Sequence, residues 1–330
     1  MLRSNINTEK SDFNHIKEPG HVEKVWQTIE ANIPIYFNKM MEEYNAFSEL
    51  KSNSTFSVKK SAPDTRHQLS QLFEDGLHKY QKLDTRYKSF FSDESMQEFE
   101  DEDNPRQFKT KLSIEVPLIR KALQSRYDAM KEWQQKFNWA KAADVYAIFF
   151  NLLTFMDEFT EHTGEVEFSA YNELADWEDL IALNEDDDYN VPGVIGMGIK
   201  SSVLYFLNPR FFLCANKNTL YGFYFLCNCE HFRLPSGTNE FIMINDMKEA
   251  SNRRNNRNML IDQNYWYPYD LFILYGLRTF RLLEKLCAAH KYKLSEEFRF
   301  VHVNTFMSHI WNMKLETINT MTGGDQDDAA

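Results

Sequence analysis

Apolar residues recur at three- and four-residue steps through most of this chain, and that spacing limits the folds it can adopt more than any other feature does. One face of an α-helix has this spacing. The 11 glycines and 9 prolines make up only 20 of the 330 residues, so few positions interrupt the pattern. Because 43% of the residues are hydrophobic, the helices have enough apolar surface to form a core. The sequence therefore predicts a mainly α-helical, multi-helix globular protein.

The periodic segments predict individual helices, and the prolines predict where some of them break. The predicted helices cover residues 21–50, 64–91, 108–137, 139–162, 171–183, 199–207, 218–226, 270–290 and 304–315. Asp64 is expected to cap the second of them. A break or a kink is expected at Pro34 and a break near Pro117, because an interior proline removes a backbone hydrogen bond. Residues 240–244 have the composition of a short strand.

The same patterns suggest a domain order and a compartment. We expect an N-terminal helical region over residues 1–165, a C-terminal helical module over 166–322 and a disordered tail over 323–330. The most apolar segment, 142–159, is interrupted by polar residues, so no membrane-spanning helix is expected. Residues 1–21 are polar, unlike a secretory signal, and the four cysteines have no disulfide-framework spacing. These features are typical of a cytoplasmic protein.

Charge is distributed unevenly along the chain. The net charge is −12, which makes non-specific nucleic-acid binding by the whole surface unfavourable. Residues 1–190 carry 22 Lys and Arg against 36 Asp and Glu, whereas residues 191–330 carry 15 against 13. The front half is therefore acidic by 14 charges and the back half basic by 2. Two acidic runs, at 93–103 and 185–188, lack the glycine-turned loop of a calcium site, so we expect solvated loops and no metal.

One stretch concentrates glycine directly before a predicted helix. Gly193, Gly196 and Gly198 are three of the 11 glycines, and they lie within residues 191–198. A glycine-rich turn at a helix N-terminus lets backbone N–H groups approach an anion, and phosphate is the natural ligand. The turn has neither the Gly-Lys-Ser/Thr of a P-loop nor the preceding strand of a dinucleotide-binding fingerprint. A purely structural interpretation is that these glycines make a tight connection between two helices.

Residues 189–225 resemble the helix-hairpin-helix element of DNA glycosylases and related lyases. The resemblance rests on Pro192-Gly193-Val194, on the run from Gly196 to Ser202, and on the helix that ends at Leu207; Ile195 makes the turn longer than is usual in the family. It implies a hairpin that contacts DNA. The nucleic-acid contacts it implies are Gly193, Gly196, Gly198, Lys200, Ser201 and Lys217. Similar turns also occur in uncharacterised bacterial and phage-related proteins, some of them from defence loci.

The resemblance also assigns two positions in the family's chemistry. Lys200 stands where bifunctional members have a Schiff-base lysine, and Asn216, or alternatively Asn218, stands where the family has its catalytic Asp. An amide cannot supply the negative charge that an oxocarbenium-like transition state requires. The family's four-cysteine iron–sulfur spacing is absent, so no cofactor is expected. An active enzyme would need Lys200 as nucleophile together with another carboxylate, such as Asp246 or Asp262.

Two further clusters allow more than one interpretation. Cys227, Cys229 and His231 would face one side of an extended segment, with Cys214 as a fourth ligand for Zn²⁺, but the spacing is poor for zinc and buried thiols are favoured. Arg253, Arg254 and Arg257 precede an aromatic run from residue 265 to 269. This combination suits phosphate contacts and base stacking. It also suits a core-packing aromatic run beside arginines that bind an acidic protein partner.

These observations predict a catalytically inactive, glycosylase-like protein that binds DNA or a nucleic-acid-processing protein partner, in a bacterial or phage defence system. Two other classes remain open. One is an active DNA glycosylase or lyase that uses Lys200. The other is an acidic protein-interaction subunit, or a DNA mimic, that uses the negative front half.

Overall fold

The computed structural model describes residues 12–52, 65–99, 104–126, 128–164, 171, 173–230, 232–235, 240–244, 261–263 and 267–322. Within these ranges the chain is mainly α-helical, so the predicted fold class is confirmed. The first helices are α1 (Pro19–Ser52), α2 (Thr65–Phe90), α3 (Asp93–Gln97), α4 (Asn104–Glu115), α5 (Pro117–Gln124), α6 (Asp128–Trp139) and α7 (Ala142–Gly164). The later ones are α8 (Ala182–Glu185), α9 (Met197–Leu207), α10 (Lys217–Leu226), α11 (Tyr269–Ala289), α12 (Arg299–Met313) and α13 (Leu315–Thr322).

Short elements connect these helices. Two 3-10 helices, Leu174–Ile181 and Asp187–Tyr189, flank α8. Strand β1 (Ile242–Ile244) lies where a strand is predicted, and it pairs antiparallel with β2 (Ile261–Gln263), which periodicity does not reveal. None of the described helices combines the length and the continuous apolar surface that a bilayer crossing requires.

The prolines act differently at the two predicted breaks. The predicted helix at 108–137 does break near Pro117, and it breaks again between α5 and α6. At Pro34 the helix does not break, because α1 continues through it, and a kink there stays a prediction. Tertiary packing compensates for the lost hydrogen bond: Ile33 and Phe37 are buried on either side. Asn32 also donates to the carbonyls of Thr28 at 3.0 Å and Leu226 at 2.9 Å. The predicted cap Asp64 and the predicted tail 323–330 lie outside the described residues.

The described residues form two compact units, each assembled from separate stretches of chain. The first unit draws on Met1–Leu77, Lys217–Asn264 and Tyr275–Gln326, and the second on His78–Asn216 and Tyr265–Leu274. The predicted boundary near residue 165 stays a prediction. In the first unit the packing is long-range, since α1 lies against α10 and α12, far along the chain.

The core of the first unit is built on a close contact between α10 and α12. A Cβ atom added to Gly222 would lie 2.5 Å from Sδ of Met307, so the absence of a side chain lets the helices approach. The Tyr221 and Trp311 rings meet edge to face at 4.9 Å. At the edge of this unit, His21 on α1 pairs with the buried carboxylate of Glu240 at 2.9 Å.

The core of the second unit positions the candidate site. Helix α4 packs against α7 through Phe108, whose ring centre lies 5.2 Å from that of Tyr146 and 5.8 Å from that of Phe149. Helix α9 packs against α7 as well, and α5 packs against α4 and α6. The Phe206 ring at the end of α9 stacks on Tyr87 at 4.4 Å. The beginning of α9 therefore has a fixed position in a unit that also contains α4, α5 and α6.

Candidate nucleic-acid interface

Residues 191–195 form a tight turn, called the hairpin below, that leads directly into α9. Val191 and Ile195 pair in an isolated antiparallel bridge, and the Ile195 amide donates to the Val191 carbonyl at 2.9 Å. Gly193 lies exposed at the tip. Gly196 is the N-cap of α9, so only one residue separates the bridge from the helix. The turn thus has the order of elements that the sequence predicts, while its assignment as a helix-hairpin-helix element stays a prediction.

The two exposed glycines of this region differ in what requires them. Gly193 has φ of +71°, in the left-handed region that favours glycine. Gly196 has φ of −115° and ψ of −177°, which any residue adopts. A Cβ added to Gly196 would meet no heavy atom of the described chain within 4 Å. The interpretation of a tight helix connection therefore accounts for Gly193. At Gly196 neither backbone conformation nor packing requires glycine, and only the general preference for glycine at an N-cap favours it.

The first turn of α9 has the properties of an anion-binding helix end. Gly196 has no side chain that could cap the N-terminus, and no side-chain cap is found there among the described residues. The first backbone N–H groups of a helix have no intrahelical acceptor, and the helix dipole places partial positive charge at this end. Gly196 is exposed and Gly198 half-buried. The open space beside Gly196 leaves room for an anion near these donors.

The hairpin lies against α6, which supplies a positive charge beside it. The Trp133 indole N–H donates to the Val194 carbonyl at 2.9 Å. The Lys136 side chain crosses Gly193: its Nζ would lie 3.1 Å from a Cβ atom placed on that glycine. Lys136 also forms an ion pair with Glu132 at 2.7 Å, with both side chains substantially exposed. Exposed pairs contribute about 0–1 kcal/mol, so a phosphate can replace Glu132 as the partner of this ammonium.

Lys136 belongs to a basic segment that the net charges of residues 1–190 and 191–330 do not reveal. Residues 104–141, which include α4, α5 and α6, carry nine Lys and Arg against three Asp and Glu, a net charge of +6. Their exposed cationic side chains are those of Arg106, Lys121, Arg126, Lys131, Lys136 and Lys141. Averaging over residues 1–190 merged this segment with the acidic runs on either side. A shorter counting window finds it from the sequence alone.

Negative charge is concentrated on the other side of the hairpin in sequence. Burial raises the pKa of the Tyr189 phenol, and the nearby carboxylates of Asp186, Glu158 and Asp188 raise it further. Asp186 also accepts from the Asp188 amide at 2.9 Å, which fixes this short acidic turn. The hairpin therefore follows an acidic turn and packs against α6, which belongs to the basic segment 104–141, so a polyanion is favoured on the side of that segment.

Lys200 is buried in the protein. Its side chain lies on α9, is 1% exposed, and donates to the Leu183 carbonyl and to Oδ1 of Asn190, the latter at 2.7 Å. Burial lowers the pKa of Lys200 from 10.5 to about 8. Both acceptors are neutral oxygens that precede the hairpin in sequence. In this arrangement the amine ties the chain before the hairpin to the helix after it.

Ser201 and Asn216 lie on either side of the loop that follows α9. Ser201 is fully buried; its hydroxyl donates to the Met197 carbonyl at 2.7 Å and accepts from the Ala215 amide at 3.0 Å. The Asn216 amide donates to Sγ of Cys214 at 3.4 Å, and the neighbouring thiol has a pKa that burial raises to about 11. These contacts fasten the loop to α9, so Ser201 has a clear structural role.

The remaining predicted residues are not brought to the hairpin by any described contact. Lys217 belongs to the first unit, where its ammonium lies 4.8 Å from the centre of the Trp311 ring. Asn228 and Cys229 have φ of 54° and 59°, so the chain turns there and is not extended as the zinc interpretation required. Within the described ranges no three His, Cys, Asp or Glu side chains converge on a metal position. Arg253, Arg254, Arg257, Asp246 and His231 lie outside the described residues, and only the backbone of Asp262 is described.

No protein-family model, no curated protein and no solved structure matches this chain. The resemblance of residues 189–225 to helix-hairpin-helix proteins therefore stays a prediction. A function has to be inferred from the chain's own residues, of which the hairpin, the start of α9 and Lys136 on α6 are the most informative.

Proposed function

We propose that the protein binds nucleic acid without catalysing a reaction, and that it holds a phosphate group between the hairpin, the first turn of α9 and helix α6. The observation that carries this proposal is the position of Lys136, whose ammonium lies across Gly193. Lys136 adds a cation to a glycine turn that leads into a helix N-terminus without a side-chain cap. Backbone N–H groups, a helix dipole and a lysine are the usual elements of protein phosphate sites.

The net charge of the surrounding segment supports a polyanion as the ligand. Residues 104–141 carry +6 in a chain whose net charge is −12, so the rest of the chain carries −18. Such an asymmetry favours the approach of a polyanion to this segment over the acidic residues on either side of it in sequence. Each phosphate that a lysine or arginine neutralises releases counterions, so binding should weaken steeply with salt.

The geometry favours binding over glycosylase or lyase chemistry. A Schiff-base lysine must reach the sugar of its substrate, but the Lys200 ammonium is 1% exposed and has two protein acceptors. Burial lowers the pKa of Lys200, which is one way to activate an amine, but its two described partners are neutral oxygens that supply no negative charge for a developing oxocarbenium ion. Asn216 supplies no carboxylate in place of the family's Asp. A role in bacterial or phage defence stays a prediction.

A second candidate function is the binding of a basic protein, and one observation favours it. Beyond the carboxylates around Tyr189, Asp157 lies close enough to Asp93 that this carboxylate, together with burial, raises the pKa of Asp157. Carboxylates held this close together form a negative surface that suits a cationic partner. Competition between a basic protein and DNA would separate the two candidates, since the proposed DNA site lies on α6 and needs none of these carboxylates.

Fluorescence anisotropy with labelled duplex and single-stranded DNA tests the proposal. The informative variants are Lys136→Glu and Gly196→Asp, and Lys285→Glu, an exposed lysine on α11, is the matched control. Aspartate is a favourable N-cap residue, so Gly196→Asp should keep the fold while it places a negative charge beside the proposed phosphate. We expect each informative variant to weaken binding about tenfold or more, and the control to stay within about twofold.

The salt dependence and a trapping experiment give independent readouts. Raising salt from about 50 mM to about 200 mM should weaken wild-type binding steeply, and Lys136→Glu should reduce the slope of the logarithmic plot by about one unit. Equal binding by the wild type and both informative variants would contradict the proposal. A borohydride-trapped adduct between Lys200 and abasic DNA would instead establish the lyase alternative.

A further inference from the structure

Trp139, the last residue of α6, is unusual because it faces solvent. Its side chain is 81% exposed, whereas Phe137, two residues earlier, is 1% exposed. Tryptophan has one of the largest apolar surfaces of any side chain and is highly buried on average. This indole therefore contributes little to the core, and its large exposed π-face is available to a ligand.

The backbone around Trp139 is fixed by a lysine from another helix. The ammonium of Lys109, on α4, donates to the carbonyls of Asn138 at 3.0 Å and Ala140 at 2.6 Å, one on each side of Trp139. The same ammonium lies 5.2 Å from the centre of the Phe137 ring. A cation that satisfies the last carbonyls of a helix also interacts favourably with its dipole. The exposed indole is thus presented from an ordered turn and not from a frayed helix end.

The exposed residues near Trp139 in sequence are polar or cationic. Lys136 lies one helical turn before it and Lys141 two residues after it, and both are exposed, as is Asn138. The core of a protein–protein interface is depleted in charged residues. An aromatic face with lysines alongside is the arrangement by which proteins bind unpaired bases, because bases stack on the ring while cations meet the phosphates. The net charge of +6 over residues 104–141 is complementary to the same ligand.

We infer that the surface formed by Trp139, Lys136 and Lys141 binds single-stranded nucleic acid, with one unpaired base stacked on the indole and the neighbouring phosphates held by the two lysines. This inference rests on the proposed function, since Lys136 belongs to both surfaces. It specifies the ligand further: a strand with at least one unstacked base should bind better than a continuous duplex.

Binding of short oligo(dT) and oligo(U), each with one fluorescent base analogue whose emission falls on stacking, tests this inference against a blunt duplex of similar length. Trp139→Ala should weaken binding to the single strands about tenfold or more and abolish the stacking signal, while duplex binding changes less than about twofold. Trp139→Phe should keep most of the affinity, because phenylalanine retains a π-face. Phe150→Ala is the matched control, since Phe150 is an aromatic residue of α7 that is 44% exposed.

The outcomes separate this inference from the proposed function. If Trp139→Ala binds single strands as the wild type does while Lys136→Glu binds weakly, the stacking surface is wrong and the hairpin site stands. If the wild type binds no nucleic acid at low salt, both are wrong. If poly-glutamate binds the wild type and not Trp139→Ala, while neither oligonucleotide binds, the surface recognises an acidic protein and the inference is overturned. If Trp139→Ala loses binding to both oligo(dT) and oligo(U), the inference is supported. If it loses binding to only one of them, that result identifies DNA or RNA as the ligand.

Discussion

In the first unit, Gly222 lets α10 and α12 approach each other closely. In the second unit, Gly196, which follows the hairpin, leaves open space at the start of α9. A Cβ added to Gly222 would lie 2.5 Å from Sδ and 2.9 Å from Cβ of Met307. A Cβ added to Gly196 would have no heavy-atom neighbour within 4 Å in the part of the chain that the structure describes. Close packing explains the first glycine. It does not explain the second, where glycine is favoured as an N-cap residue and leaves open space at the start of α9.

The same two regions differ in how they accommodate a buried basic side chain. His302 on α12 is 4% exposed; its Nε2 accepts from the Ser295 amide at 3.3 Å, and its buried Nδ1 has no hydrogen-bond partner in the described part of the chain. Lys200 on α9 is buried as deeply, but two oxygens accept from its amine. Protonation of His302 would place an unpaired charge in the α12 core, whereas the charge on Lys200 has two acceptors. The α12 region should therefore be the more sensitive to acid.

The largest expected effect is an acid-dependent loss of stability that depends on His302. Burial lowers the pKa of His302 from 6.5 to about 4. Between these two values the unfolded chain binds a proton that the folded chain does not, so the free energy of unfolding falls as pH falls. One pKa unit corresponds to about 1.4 kcal/mol, so the loss should reach about 3 kcal/mol once the pH is below 4. Urea unfolding measured across this pH range gives the value directly.

The matched variant for this prediction is His302→Gln. Its side-chain oxygen can still accept from the Ser295 amide, but it does not titrate in this range. Its unfolding free energy should therefore depend less on pH than that of the wild type, while the carboxylates contribute equally to both proteins. Parallel curves for the two proteins would show that His302 is not the acid-sensitive group.

The next effect is expected from Gly222→Ala. The new Cβ would collide with the Met307 side chain close to its own Cβ, where the side chain cannot move aside. Overpacking costs about 1–3 kcal/mol, and the better helix propensity of alanine offsets at most about 1 kcal/mol. We expect a net loss of about 2 kcal/mol in urea unfolding. Gly20→Ala on α1 is the control, because an added Cβ there meets no described atom within 4 Å, and it should not destabilise the protein.

A somewhat smaller effect is expected from Lys200→Met. Methionine fills similar volume but leaves the Leu183 carbonyl and Oδ1 of Asn190 without the donor they now have. A buried acceptor that loses its partner costs about 1–3 kcal/mol, part of which the lower desolvation cost of methionine recovers, so we expect a net loss of about 1.5 kcal/mol. DNA binding measured by anisotropy should stay within about twofold if Lys200 acts only in the structure. A loss of binding much larger than the loss of stability explains would restore Lys200 as a nucleic-acid contact.

These two regions also show what the sequence could and could not predict. Helical spacing predicted α10 and α12 as helices, and the glycine density at 191–198 predicted the turn before α9. Nothing in local spacing indicates that Gly222 faces Met307, because that contact joins residues 85 positions apart in sequence. Contacts of this kind depend on the tertiary arrangement of whole helices, which periodicity does not determine.

The candidate site was predictable to a similar extent. The glycines and the possibility of a phosphate ligand followed from residue types alone. The burial of Lys200 did not follow from residue types, because a lysine after a glycine turn can be either an exposed ligand contact or a buried hydrogen-bond donor. Lys136 was missed because its role depends on α6 lying beside Gly193, although the charge of +6 over residues 104–141 was visible in the sequence. Local charge counts are therefore more informative than totals for half of a chain.

The smallest expected effect on stability is that of Gly196→Ala, and it tests the comparison most directly. Its backbone conformation suits alanine, and the added Cβ meets no described atom within 4 Å, so only the poorer N-cap preference of alanine should act, and the free energy of unfolding should fall by no more than about 0.5–1 kcal/mol. The same methyl group would project into the space proposed for a phosphate, so DNA binding should weaken severalfold. A destabilisation as large as that of Gly222→Ala, with unchanged binding, would mean that glycine serves the fold in both units. Loss of binding without loss of stability would mean that residue 196 is glycine because a ligand approaches it.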